Sequence, residues 1–224
     1  MHMSDGIVNA PVSILYGVIA IVGLTLAANR ARDDLDERTA PMAGLVAAFV
    51  FAVQMINFPI LPGVSGHLLG GALVAILVGP WVGSLCVAIV LVVQALLFAD
   101  GGISALGTSV TNMALVGTAA GFLVATALRR FALSGPRGLA VVAFVSALVN
   151  VVAAALSFVL QYAMGGDAGV GLGEVAGVMV GFHVLIGVGE GIITALTVGA
   201  VAKVRPDLVY LLRTARTRAA EVTA

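Results

Sequence analysis

The eleven lysines and arginines of this 224-residue chain fall in three groups, and long apolar runs separate the groups. They are Arg30, Arg32 and Arg38; Arg129, Arg130 and Arg137; and Lys203, Arg205, Arg213, Arg216 and Arg218. A bilayer crossing takes about 20 apolar residues, within a range of about 17–25. Crossings are read at 12–28, 42–58, 68–79, 80–98, 104–128, 138–163 and 175–202. The stretch 68–98 is divided because a single helix of that length would run about 45 Å, against a hydrocarbon core of about 30 Å. Gly79-Pro80-Trp81 supplies the break, since proline cannot continue the preceding helix. The first half is then a short, partly embedded segment. Lys and Arg collect in cytoplasmic loops. Seven crossings place all three basic groups on one side, whereas six would leave Arg129–Arg137 outside. The expected fold is an all-α polytopic membrane protein with seven transmembrane helices, the N-terminus outside and the C-terminus cytoplasmic.

Composition excludes the main alternatives. Only 10% of residues are charged and 61% are hydrophobic, whereas soluble domains carry about 25% charge. A net charge of zero argues against a nucleic-acid partner. The single cysteine, Cys86, lies in an apolar run and reads as packing. There is no H-E-x-x-H, no G-x-S-x-G and no paired-carboxylate motif. The only lysine, Lys203, follows no glycine, so no phosphate-binding loop is possible. The chain is not expected to be an enzyme, and any ATP hydrolysis belongs to other subunits.

The external side then receives Asp5, Asp100, Asp167 and Glu174, with His2 and His67, and no Lys or Arg. His183 lies near the outer end of the last helix. Carboxylates and histidines without cations would attract a metal cation. The start, MHMSDG, adds specific chemistry. No cleavable leader is expected, because nothing basic precedes Arg30 and polar residues interrupt the start. A free amine, the amide nitrogen of residue 2 and its imidazole form fused five- and six-membered chelate rings. With the amide deprotonated, three nitrogens lie in one plane. A fourth would complete the square-planar field diagnostic of Cu(II) or Ni(II).

That fourth ligand should come from MINFPILPGVSGHLLGG (Met55–Gly71), a turn-rich loop that re-enters at His67. Ser65 and Ser4 are placed to cap or orient neighbours. Asp100, in ADGGISALGTS, could bond a ligand imidazole or serve as a helix cap. Asn112 sits within a crossing, so it should face the interior and either brace the N-terminal segment or bond a neighbouring helix. Gln94 and Asn150 read as interhelical bonds. His183 and Glu190 are seven apart on one helix face, too far for a direct chelate. Glu190 would bond a neighbouring helix, or help pass the metal or a proton. Gly117/Gly121, Gly177/Gly181 and Gly187/Gly191 mark close helix contacts, within the chain or with a partner.

MHMSDG, MINFPILPGVSGHLLGGALVAILVGPW, ADGGISALGTSVTNMA and HVLIGVGEGIITAL together resemble the signatures of the substrate-binding (S) components of nickel and cobalt energy-coupling-factor transporters, the CbiM/NikM type. They occur in the family's order and span nearly the whole chain. The resemblance implies a seven-helix domain over 1–205, with segment 1–11 inserted from outside, and a cytoplasmic basic tail over 206–224. It implies metal ligands at Met1 (amine and neighbouring amide), His2 and His67. Asp5, Ser65, Asp100 and Asn112 are supporting candidates, and His183 and Glu190 lesser ones. It implies no cofactor; Ni²⁺ or Co²⁺ is cargo. The implied partners are a membrane coupling (T) protein, two cytoplasmic ABC ATPases and a small auxiliary membrane protein, in a prokaryotic plasma membrane. SGHLLGG resembles nickel-type members, while Ser4 and the PGV before the histidine motif depart from the family's loop residues. A passive divalent metal channel is the alternative, disfavoured by the few polar residues in the crossings.

Overall fold

The computed structural model describes residues 1–37 and 39–213. Arg38, Arg216, Arg218 and the tail from residue 214 lie outside the described residues. The described residues form a bundle of α-helices with one small hairpin of strands. Helix α1 (Ala10–Asp34) begins at Asn9, whose side chain accepts from the Val12 amide at 3.1 Å, with Pro11 in its first turn. Helix α2 (Thr39–Gln54) ends four residues short of the expected 58. The remainder of that apolar run forms β1 (Phe58–Leu61), paired antiparallel with β2 (Val64–Gly66). Prolines 59 and 62 and Gly63 (φ 74°) favour this turn over a further helical turn.

Helices α3 (Gly71–Val78) and α4 (Pro80–Leu97) divide where the sequence places the break. Gly79 adopts φ 91°, and the chain doubles back. A Cβ on Gly83 would sit 2.8 Å from a Val74 methyl and 3.2 Å from the Ala75 nitrogen, so the two halves lie against each other. All eight residues of α3 are buried, so it forms a short plug inside the bundle.

The helix over Leu106–Ala127 is not uniform. It runs as α5 (Leu106–Val110), a π-helical stretch Thr111–Gly117, and α6 (Thr118–Ala127). After the short α7 (Arg129–Ala132), two long helices complete the bundle: α8 (Pro136–Gly165) and α9 (Leu172–Val204). At 1.5 Å per residue α9 is about 50 Å long. Among the described residues, five helices are long and apolar enough to cross a membrane: α1, α4, the Leu106–Ala127 helix, α8 and α9. The shorter apolar α2 accompanies them.

The connections sort into two ends. At one end the N-terminal segment threads between three others. Ser4 N–H donates to Gly63 O at 2.9 Å, Gly102 N–H to Met3 O at 2.7 Å, and Asp167 N–H to Ile7 O at 3.0 Å. At the other end Arg213 stands 3.7 Å from Asp36 and donates to Thr39 at 3.3 Å. There, too, an apolar cavity of about 570 Å³ opens between Leu133, Pro136, Leu139 and Lys203.

Candidate metal centre

The threaded end brings the terminal residues and the loop histidine into contact. Met1, His2 and His67 are 0%, 3% and 1% exposed. The Met1 amino group donates to His67 Nε2. The His2 and His67 rings lie 4.7 Å apart, tilted by 33°. His67 Nδ1 lies 2.8 Å from Leu68 O, which can only accept, so Nδ1 carries the proton and Nε2 presents its lone pair. His2 Nε2 faces Asp100 Oδ2 at 3.7 Å. That orientation leaves Nδ1, on the backbone side, to close a chelate ring with the amine and amide.

Among the described residues, no three His, Cys, Asp or Glu side chains are grouped to hold a metal ion. The donors that meet here are therefore all nitrogens: two imidazoles, the amine and the intervening amide. Burial keeps them neutral. It holds the terminal amine and His67 well below their ordinary values, and it takes His2 down to about 3. A charge on the terminal amine would act in the same direction on both rings, while the neighbouring Gln94 side chain pulls His2 the other way. A neutral amine and neutral imidazoles are the protonation state that ligation needs, while the amide ligates only on giving up its proton to become an anion.

The supporting candidates divide. Asp100 accepts from Asn57 Nδ2 at 2.7 Å, and Ser65 Oγ stands 3.5 Å from its other oxygen. Asn57, Ser65, Asp100 and His2 line an open, polar cavity of about 300 Å³ that leads to the His2 ring. Asp5 is exposed and turned away from the histidines. It accepts from the amide and hydroxyl of Ser104 at 2.8 and 2.6 Å, which holds its carboxyl below the usual range and ties the N-terminal segment to the next loop. Asn112 bonds Gln161 at 2.8 Å and Ser157 at 2.6 Å on α8. Its link to the N-terminal segment is indirect, through Gln161 and Thr108, whose hydroxyl lies 3.4 Å from Met3 Sδ. His183 donates from Nδ1 to Met179 O at 2.6 Å, one turn back on its own helix. Glu190 is buried beneath the loop that carries His67 and bonds Asn150 of α8.

Two features escape a reading of the sequence. Gly101, at φ 94°, lies against the His2 ring, and a Cβ there would fall 3.0 Å from Nδ1. Asn57, which orients Asp100, carries no signal beyond standing in the turn-rich loop.

The chain has relatives among known proteins. Residues 2–208 match the family model described as the cobalt uptake substrate-specific transmembrane region. A putative fused nickel transport protein NikMN of Archaeoglobus fulgidus is 38% identical over 93% of this chain and 68% of its own length. A putative metal transport protein of Haloquadratum walsbyi is 36% identical over 94% of both chains. The cobalt transport protein CbiM of Geobacter sulfurreducens is 34% identical over 93% of this chain and 61% of its own. A crystal structure of a transition metal transporter superposes with a TM-score of 0.80 at 29% identity, covering 91% of this chain and 93% of that one. The chain is thus a multi-pass helical protein of the prokaryotic plasma membrane, and it belongs to the cobalt-uptake substrate-specific transmembrane family, whose named members transport nickel and cobalt.

Proposed function

We propose that this protein is the metal-capturing S component of an energy-coupling-factor importer. It takes Ni²⁺, or Co²⁺, from outside through Met1 N, the His2 amide nitrogen, His2 Nδ1 and His67 Nε2. The observation that carries this reading is the meeting of the Met1 amine with His67 Nε2, beside the His2 ring. A donor and a lone pair that touch in the metal-free protein can separate slightly and face one ion. Four nitrogens in a plane suit Ni²⁺, and the nickel name of the Archaeoglobus relative agrees with that choice. Asp100 would accept from His2 Nε2–H and fix the ring's tautomer, as outer carboxylates do for metal-bound histidines.

Seven passages, with the threaded end outside and the basic end in the cytoplasm, complete the reading. The basic end would meet a membrane coupling protein driven by two cytoplasmic ATPases, with a small auxiliary membrane protein assisting. The buried apolar α3 beneath the site favours movement of helices over a passive channel.

The test replaces His2 by glutamine in purified protein. This removes the imidazole, and with it the six-membered ring, while the bulky second residue and the terminal amine stay in place. Nickel affinity by calorimetry should fall at least a hundredfold, and the planar d–d absorption should change. Unchanged affinity would remove the terminal chelate.

A further inference from the structure

The metal site does not account for Glu190, a carboxylate 2% exposed midway along α9. Its Oε2 accepts from the Leu69 amide. Its Oε1 accepts from the Gly70 amide at 3.0 Å and from Asn150 Nδ2 at 2.7 Å. Three N–H donors on one carboxylate are what a buried anion requires.

The Leu69 N–H belongs to the same peptide group as the Leu68 carbonyl, and that carbonyl accepts the proton of His67 Nδ1 at 2.8 Å. A continuous chain therefore runs from the Glu190 carboxylate, through one peptide group, to the ring of His67. On the far side, Gln54 Nε2 of α2 donates to Leu69 O at 2.7 Å. The backbone after His67 is held from α9 at the Leu69 N–H and from α2 at the Leu69 carbonyl.

We infer that Glu190 is a positioning residue for His67, acting through the Leu68–Leu69 peptide. Hydrogen bonds in series polarise one another. A carboxylate on the N–H makes the carbonyl of that peptide a better acceptor, and a better acceptor on Nδ1–H makes Nε2 a stronger donor to metal. The arrangement is the familiar carboxylate–histidine pair with one peptide group inserted between its members. It also ties a ligand-bearing loop to α9, so a displacement of that helix is transmitted to His67.

The inference rests on His67 being a ligand, so the test carries a His67→Ala control. In purified protein, Glu190→Gln keeps the shape but removes the charge and turns an NH₂ toward one of the three donors. Nickel affinity should weaken about ten- to a hundredfold, the range typical for outer partners of metal ligands. The planar nickel absorption band should shift, a change that mere destabilisation would not cause. The double variant Glu190→Gln/Asn150→Asp guards against misfolding. Its new amide on α9 can donate to the new carboxylate on α8, while the amide oxygen accepts from the Leu69 N–H. The negative charge thus leaves the peptide but stays in the neighbourhood. This double variant should fold and still bind nickel weakly with a shifted band. If it, or a folded Glu190→Gln protein, binds with the wild-type affinity and spectrum while His67→Ala does not, the relay is overturned and the metal site stands. If His67→Ala also binds as wild type, His67 is no ligand and both fall.

Discussion

The histidines of the site spend their lives neutral, and this sets a pH signature. His2 has an ordinary value of 6.5, and burial brings it to about 3. Between those values an unfolded chain takes up a proton that the folded chain refuses. Stability of the metal-free protein is therefore full above about pH 6.5 and is lost as pH falls toward 3. The terminal amine, ordinarily 8.0 and held well below that, contributes a loss that begins higher. The melting temperature in detergent should fall steadily from pH 8 to 5, and less steeply in His2→Ala; identical profiles would contradict the burial argument. The same residues change an expectation from sequence. Their chemistry in isolation predicts proton competition at nickel below about pH 6, and burial moves the His2 share of it toward pH 3. The residues themselves were legible, because a terminal MH and a histidine in a glycine-rich loop can be recognised by type. Their second partners were not. Gly101, Asn57 and the Leu68–Leu69 peptide act through backbone placement, which no residue type announces.

At the scale of elements, glycines that look alike in sequence separate in use. Gly117 packs against Asn150, Gly121 against Ala72, Gly187 against Leu148 and Gly191 against Phe144, all within the bundle. Gly177 and Gly181 on α9 have nothing within 4 Å of a Cβ position. Spacing gives the same pattern for all three pairs, and only the neighbour tells them apart. One close backbone-to-backbone crossing was not marked by spacing at all: a Cβ on Gly107 would lie 2.5 Å from the Gly17 Cα. Gly107→Val should therefore push α1 off α5 and cost about 1–3 kcal/mol. Gly177→Val in the isolated protein should stay within about 0.5 kcal/mol. Thermal unfolding of both variants in detergent checks the contrast, and equal losses would mean that the open face of α9 is not open. Apolar runs made most helices readable within a few residues. They could not reveal the hairpin of Phe58–Gly66 or the π-helical turn at Thr111–Gly117, since both are decided by packing against other elements.

For the whole molecule, the charge pattern and the fold make one arrangement. Four segments without Lys or Arg meet at one end, and the described basic residues gather at the other. The proposed orientation predicts that Asp167→Cys reacts with a membrane-impermeant maleimide on intact cells. Arg130→Cys should react only after the membrane is opened. Both residues are exposed, and the native Cys86 is buried and should stay silent. The opposite pattern would invert the molecule and place the site inside.

The threading of the N-terminal segment has a consequence for biogenesis. Ile7 and Asn9 are fastened by Asp167 and Gly165, which the ribosome adds more than 150 residues later. At about 5–20 residues per second, that is a wait of roughly 8–30 seconds. During that interval residues 1–9 have no groove to lie in, and Glu190 has yet to be made. A nascent chain therefore cannot assemble the proposed metal site in its finished geometry. The cell gains a transporter that becomes competent only when its last helix has docked.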